Sequence, residues 1–185
     1  MKKKSMQFTP FKITLLIFAV SLFAITSCDT SDPFSFPPPD FSTVPDAYDI
    51  DGLEPVEVEE GITAYIHEEG DGFGTVTVRD DLLLFITVRT LDGDIIYSTY
   101  NDARVEPTTV RVSNIQLNPS VFSYNIQLSY TFGLRQGLLG MKEGERRTLI
   151  VQPEQGYGDL PEGAANSSYT ESVLQYDLIL LDIID

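Results

Sequence analysis

Cysteine and histidine are nearly missing from this 185-residue chain: there is one of each. Cys28 alone cannot form an intrachain disulfide, and as a free thiol in an oxidising compartment it would be a liability. His67 alone rules out multi-histidine metal sites and reads as a strand or surface residue. Basic residues are scarce as well: 12 Lys and Arg face 28 Asp and Glu, a formal net charge of −16. That balance argues against nucleic acid, whose phosphates need basic neutralisation, and against anionic headgroups bound through protein charge. It suits a solubility device on an exported domain. The acidic clusters Glu57-Val58-Glu59-Glu60 and Asp80-Asp81 lack the spaced ligands of a calcium loop and read as solvated turns. Gly70-Asp71-Gly72-Phe73-Gly74 is followed by no lysine in register, so it is no phosphate loop.

What the chain does have begins with a leader. Lys2, Lys3, Lys4 and Lys12 flank an apolar run, Ile13 to Ile25, too short for a membrane span. It ends in Ile25-Thr26-Ser27-Cys28, which resembles a bacterial lipobox. That resemblance implies a signal peptide over 1–27, cleavage before Cys28 and lipid on its thiol and new amino group. Acylation would remove the free-thiol problem, and several acyl chains give stable anchoring. Losing four leader lysines leaves 8 basic residues against 28 acidic ones, a formal charge of −20. The expected location is the bacterial cell envelope, lipid-anchored on the periplasmic side or at the cell surface.

Residues 28–53 read as a tether, with Pro33, Pro37, Pro38, Pro39 and Pro45 favouring extended polyproline II. At about 3.1 Å per residue it would reach roughly 75 Å. Its Phe34, Phe36 and Phe41 have two open readings, free in the tether or docked on the domain or a partner. Residues 54–185 are enough for one domain with one core. Strands are predicted at Gly61 to His67, Phe73 to Val78, Leu82 to Thr90, Ile95 to Tyr97, Thr108 to Val112, Tyr124 to Tyr130, Thr148 to Val151 and Val173 to Ile184. In the last, Leu174, Tyr176, Leu178 and Leu180 share a face. Asp92-Gly93 is a turn signal. One helix is predicted at Leu134 to Met141, because Leu134, Leu138 and Met141 recur at helical spacing. Gly144 suits the left-handed residue that closes it. Many strands with one short helix predict an α+β fold.

The strongest stretch is Leu138-Leu139-Gly140-Met141-Lys142-Glu143-Gly144-Glu145-Arg146-Arg147, followed by Pro153-Glu154-Gln155-Gly156-Tyr157-Gly158. It resembles the signature of FKBP-type peptidyl-prolyl cis-trans isomerases, G-x-x-x-G-L-x-G-M-x-x-G-E-x-R and then P-x-x-x-Y-G. Gly133, Gly137, Leu138, Gly140, Met141, Gly144, Glu145, Arg147, Pro153, Tyr157 and Gly158 match. Leu91-Asp92-Gly93 is similar to the family's L-x-D-G turn, and Tyr176 to Leu181 to its closing strand. The resemblance implies a curved antiparallel sheet wrapped on one short helix, with the substrate pocket between them. Between Pro107 and Gly133 the chain is longer than the family domain, and 113–130 reads as an added hairpin or flap.

The same resemblance implies the chemistry. Rotation about an X-Pro bond faces a barrier of about 18–20 kcal/mol. An apolar pocket shaped for the twisted peptide lowers it by binding the transition state better than the ground state. Neither cofactor nor metal is implied; the partners are proline-containing polypeptide clients, and the domain is expected to be monomeric. Tyr157 matches the loop tyrosine whose hydroxyl donates to the peptide. Leu134 falls at the pocket floor and Tyr176 at a wall position where the family has Phe. Tyr130 and Thr131 fall at the Val-Ile pair that opens the helix, and Ile96 at a pocket Phe. Three positions depart: Ile86 replaces a Tyr, Val88 a Gly, and Tyr97 an Asp that aligns the substrate. Those departures leave a second expectation open, a peptide-binding or chaperone lipoprotein with weak or no isomerase activity. Asn166-Ser167-Ser168 has the form of a glycosylation sequon and is set aside for a bacterial lipoprotein.

Overall fold

In the computed structural model, residues 38–114, 131–164 and 166–184 are described, and Pro39–Asp185 forms one compact unit. The leader, Cys28, Phe34, Phe36, the segment 115–130 with its predicted Tyr124 to Tyr130 strand, and Tyr130 itself lie outside the described residues. Seven antiparallel strands make one sheet among those described: β1 (Pro55–Glu59), β2 (Ile62–Glu68), β3 (Asp81–Thr90), β4 (Ile95–Ser98), β5 (Thr108–Arg111), β6 (Arg146–Val151) and β7 (Leu174–Ile184). The spatial order is β1-β2-β6-β7-β3-β4, with β5 pairing the first half of β3. One helix, α1 (Phe132–Leu138), packs against β1, β2 and β6. This is the α+β arrangement expected from the sequence.

Alternation along the strands separates two faces. Leu174, Tyr176, Leu178 and Leu180 of β7 face the helix and are fully buried, alongside Leu82, Leu84, Ile86 and Val88 of β3. The core is completed by Ile62, Ala64, Leu149 and Val151 from the sheet and Leu134, Leu138 and Met141 from α1 and the turn after it.

The helix lies close to β6 because Gly133 and Gly137 face it. A methyl group on Gly137 would lie 2.7 Å from Cδ2 and 2.9 Å from Cγ of Leu149, and closer still to Cδ1. One on Gly133 would run into Val151. Beyond the helix a buried ion pair fastens the turn. Arg147 Nε donates to Glu145 Oε1 at 2.7 Å, its Nη1 donates to the Gly137 carbonyl at 2.8 Å, and Glu145 Oε2 accepts the Lys142 N–H at 3.0 Å. A guanidinium at the last helical carbonyls is favourable, because those carbonyls lack intrahelical partners and carry partial negative charge.

Four expectations are corrected. The helix runs Phe132–Leu138 rather than to Met141, and Leu139 leaves it in extended conformation. Gly144 is left-handed (φ 82) but belongs to the turn entering β6, where its N–H reaches Leu180 O at 2.8 Å. Phe73 to Val78 is no strand, because its bonds go elsewhere: the Val76 N–H donates to Met141 O, the Gly140 N–H donates to Val76 O, and Phe73 is exposed. Glu57-Val58-Glu59 is not a turn but most of edge strand β1, with every residue exposed. An acidic edge discourages pairing with another chain.

Residues 40–48 lie across the outer face of the sheet, passing from the β4 side towards β2. Asp40 and Asp102 exchange bonds: the Asp40 N–H donates to Asp102 Oδ1 at 2.9 Å and the Asp102 N–H to Asp40 O at 2.8 Å. Thr43 Oγ1 donates to Tyr100 O, and Arg89 Nη2 donates to Pro45 O. Tyr48 takes the Gln175 amide on its carbonyl and gives its N–H to Asp177. Beneath this strap sits a polar cluster: the buried Arg89–Asp177 pair at 3.4 Å, Thr148 donating to Asp177 at 2.9 Å, and His67 Nε2 2.9 Å from Thr148 Oγ1. Since the Thr148 proton is spent on a carboxylate, His67 Nε2 carries the hydrogen in that last bond. The Tyr48 ring packs edge-on against His67 at 5.2 Å and lies under the Arg146 guanidinium at 5.6 Å.

Two outcomes are expected. Gly137→Ala gains about 1 kcal/mol of helix propensity but overpacks a closed core. The balance is a loss of about 2 kcal/mol, read from the midpoint of urea unfolding. His67 is held below its ordinary pKa, chiefly by burial and by Arg146, against the opposing pull of Asp177 and Asp49. The unfolded chain therefore takes up a proton first as pH falls below about 6.5, and stability must fall with it. His67→Gln should flatten that part of the stability profile between pH 7.5 and 5.5. Parallel profiles for the two proteins would contradict the assignment.

Candidate functional site

Register across the helix-side face lines up the candidate residues. Val88 pairs with Tyr97 on one side and Tyr176 on the other, and Tyr176 pairs with Leu149, which pairs with Ala64. The helix covers the β1-β2-β6 end of this row, so its first residue meets the row near Tyr176. Thr131 is the N-cap: its backbone is extended and its Oγ1 accepts the Leu134 N–H at 3.1 Å. The same oxygen lies 2.9 Å from the Tyr176 hydroxyl. Leu134, one turn on, is fully buried beneath.

Tyr157 arrives from the loop after β6. A short 3₁₀ turn, Pro153–Gln155, folds the chain back so that the N–H groups of Gly156 and Gly158 both reach Pro153 O, at 3.0 and 2.7 Å. A side chain on Gly158 would strike that Pro153 carbonyl, which is why the motif has glycine there. The fold-back buries the Tyr157 ring to 1% exposure and bonds its hydroxyl to Tyr176 and Asn166. Burial pushes the phenol of Tyr157 far above its ordinary pKa, and that of the fully enclosed Tyr176 likewise. Both are therefore neutral O–H groups around neutral pH.

Thr131, Leu134, Tyr157 and Tyr176 are thus brought together. Ile96 and Tyr97 sit on β4, partly buried against the core. The Tyr97 hydroxyl is turned to Thr108 of β5, and burial raises its pKa. Ile86 lies two residues further along β3 on the same face, opposite Leu178, and is wholly enclosed. Its backbone is tied to Thr99, whose Oγ1 accepts the Ile86 N–H and donates to the Ile86 carbonyl. Tyr130 falls outside the described residues. Sequence reasoning missed Asn166 as a partner of Tyr157. Its signal was an asparagine in a loop, a residue that tolerates the left-handed backbone it adopts here (φ 65). Among the described residues no group of three or more His, Cys, Asp and Glu is placed to hold a metal ion.

Similarity to known proteins follows this geometry. Residues 75–181 match the family model of the FKBP-type peptidyl-prolyl cis-trans isomerase. The chain is 33% identical over 96 residues to peptidyl-prolyl cis-trans isomerase FKBP2 of Homo sapiens, covering 52% of this chain and 66% of that one. It is 43% identical to FKBP10 of Mus musculus over 51 residues, which are 28% of this chain and 8% of that one. Among solved structures, FkpA from Escherichia coli superposes with a TM-score of 0.52 at 22% identity, over 72% of this chain and 52% of that one. A peptidyl-prolyl cis-trans isomerase from Pseudomonas syringae pv. tomato superposes at 0.52 and 18%, over 71% and 81%. These two likenesses speak for the fold. The family match covers more than half of the chain and includes every residue of the site just described, and the chain belongs to the FKBP-type peptidyl-prolyl cis-trans isomerases.

Proposed function

We propose that this chain catalyses cis–trans isomerisation of X-Pro bonds in exported polypeptides, held at a membrane by lipid on Cys28. The observation that carries the isomerase reading is the meeting of Tyr157, Tyr176, Thr131 and Leu134 beside the first turn of α1. Such a site needs no nucleophile. The twisted X-Pro bond has lost amide resonance, so an apolar surround that fits it gains more than one that fits either planar form. A tyrosine that stays protonated supplies a fixed O–H for a neighbouring peptide carbonyl. The lipid reading rests on the residues around Cys28 and on the Pro-rich stretch that follows.

One observation favours a second reading, a peptide-binding module with weak or no turnover. Tyr97 replaces the family's Asp and its hydroxyl bonds Thr108, so the carboxylate that aligns substrate is missing. Under this reading a proline peptide binds but its isomerisation is not accelerated.

The deciding measurement is the cis-to-trans rate of a proline tetrapeptide with the purified protein present. Acceleration is expected, unchanged between pH 6 and 9 because both site phenols stay protonated, and Tyr157→Phe should lower kcat/KM about fivefold, the worth of one hydrogen bond. A rate equal to buffer, with binding retained, selects the second reading. The anchor is checked separately: Cys28→Ser should release the protein from the membrane fraction and abolish any acyl mass on the mature chain.

A further inference from the structure

The outer face of the sheet reads main chain. Arg89 of β3 pairs in register with Gln175 of β7, and Asp177 is the next outward residue of β7. The three are 7, 7 and 6% exposed. Arg89 Nη2 donates to the Pro45 carbonyl at 3.0 Å, Gln175 Nε2 donates to the Tyr48 carbonyl at 3.2 Å, and Asp177 Oδ2 accepts the Tyr48 N–H at 3.3 Å. Arg89 and Asp177 offset each other in charge, so the face suits neutral peptide dipoles better than an ion.

The segment seated there is lightly held. None of residues 40–50 is buried, and Pro45, Asp46 and Ala47 are exposed. Main-chain bonds with little apolar burial put such a segment at the low end of local stability. Lifting it returns Arg89 and Asp177 to water as a pair, so neither charge is stranded. Nor does the strap use every donor beneath it. Arg89 Nε is buried and has no hydrogen-bond partner among the described residues. Arg89 lines a recess with Phe85, Tyr100 and Ile179, and the Phe85 and Tyr100 rings stack at 5.2 Å. A spare donor beside apolar walls fits a further carbonyl and side chain of a polypeptide.

We infer that this face is a second polypeptide site, for an extended segment of an unfolded client, and that residues 40–48 are its resident pseudo-ligand, which the client displaces. The site lies across the sheet from Tyr157 and does not rest on turnover there.

The test is fluorescence anisotropy with the purified full-length protein. The probe is a labelled peptide of residues 40–50 carrying Pro45→Ala, so that it holds no X-Pro bond. Competition by the strap divides affinity by the fraction of molecules in which it is lifted. In the protein, Thr43→Val removes the bond to the Tyr100 carbonyl, and Pro45→Gly keeps its carbonyl but favours the lifted chain. Each should tighten binding about three- to fivefold. Arg89→Met and Gln175→Leu should weaken it about tenfold, although they too loosen the strap; Gln175→Leu decides if Arg89→Met fails to fold. A scrambled probe should bind equally, because main chain is read, and excess proline tetrapeptide should displace neither. No binding even to the Pro45→Gly protein, or changes of one sign in strap and face variants, would overturn the site. Displacement by the tetrapeptide would place the probe beside Tyr157 instead. Binding of the unscrambled probe alone, with dimers growing in sedimentation, would make the face an exchange surface between copies and overturn the client reading.

Discussion

Helix α1 lies against β6 at a distance that only glycine permits, and the arrangement of the site depends on that approach. With Gly133 and Gly137 facing Val151 and Leu149, the helix settles into the sheet and brings its N-cap to Tyr176. The helix is only seven residues long, too short to be stable from its own hydrogen bonds. Packing must hold it, and so must its ends. Thr131 satisfies an N–H at one end, and Arg147, braced by Glu145, satisfies a carbonyl at the other. A buried ion pair by itself is weak evidence of stability, because desolvation offsets attraction. Here each charge also bonds backbone groups that would otherwise be buried without partners, and leaving such groups unmade is what costs most.

The two faces of the sheet do different work. The helix side is apolar apart from the hydroxyls at its Tyr176 end and the Glu145–Arg147 pair at the end of α1. The outer side is polar yet largely buried, because the strap covers it. Arg89, Asp177, Thr148 and Gln175 bond one another and take backbone partners from Pro45 and Tyr48. The strap thereby joins strands from β3 to β2 that are distant in sequence. It places the entry of the chain on the side of the sheet away from α1.

The signature was legible in the sequence because its residues answer to backbone geometry. Gly133, Gly137, Gly158, Glu145 and Arg147 are each dictated by a close approach or an unpaired carbonyl, and such demands tolerate few replacements. Leu174 to Leu180 was legible for a related reason: one face is wholly buried, so alternation is strict. Edge strand β1 was not legible, since its side chains bury nothing and only pairing with β2 makes it a strand. Phe73 to Val78 alternates like a strand but has no neighbour in the sheet, its polar groups being taken by Met141 and Gly140. The strap was ambiguous because proline-rich composition fits both a free tether and an extended segment docked by its carbonyls. Asn166 escaped notice because its contact spans a loop with no periodicity.

The departures from the family pocket fall into two kinds. Ile86 and Val88 are core substitutions: each is enclosed, each pairs with a β7 residue, and carbon replaces a group that the sheet can do without. Tyr97, Tyr176 and Thr131 change what the site offers chemically. A carboxylate at position 97 would be a charge beside a largely apolar row, and in its place stands a phenol hydrogen-bonded to Thr108. Meanwhile two hydroxyls enter at positions 131 and 176, 2.9 Å apart, and that of Tyr176 also meets Tyr157. Neutral hydroxyls cost less to bury than an unpaired carboxylate. The site remains one of shape and fixed dipoles rather than of charge.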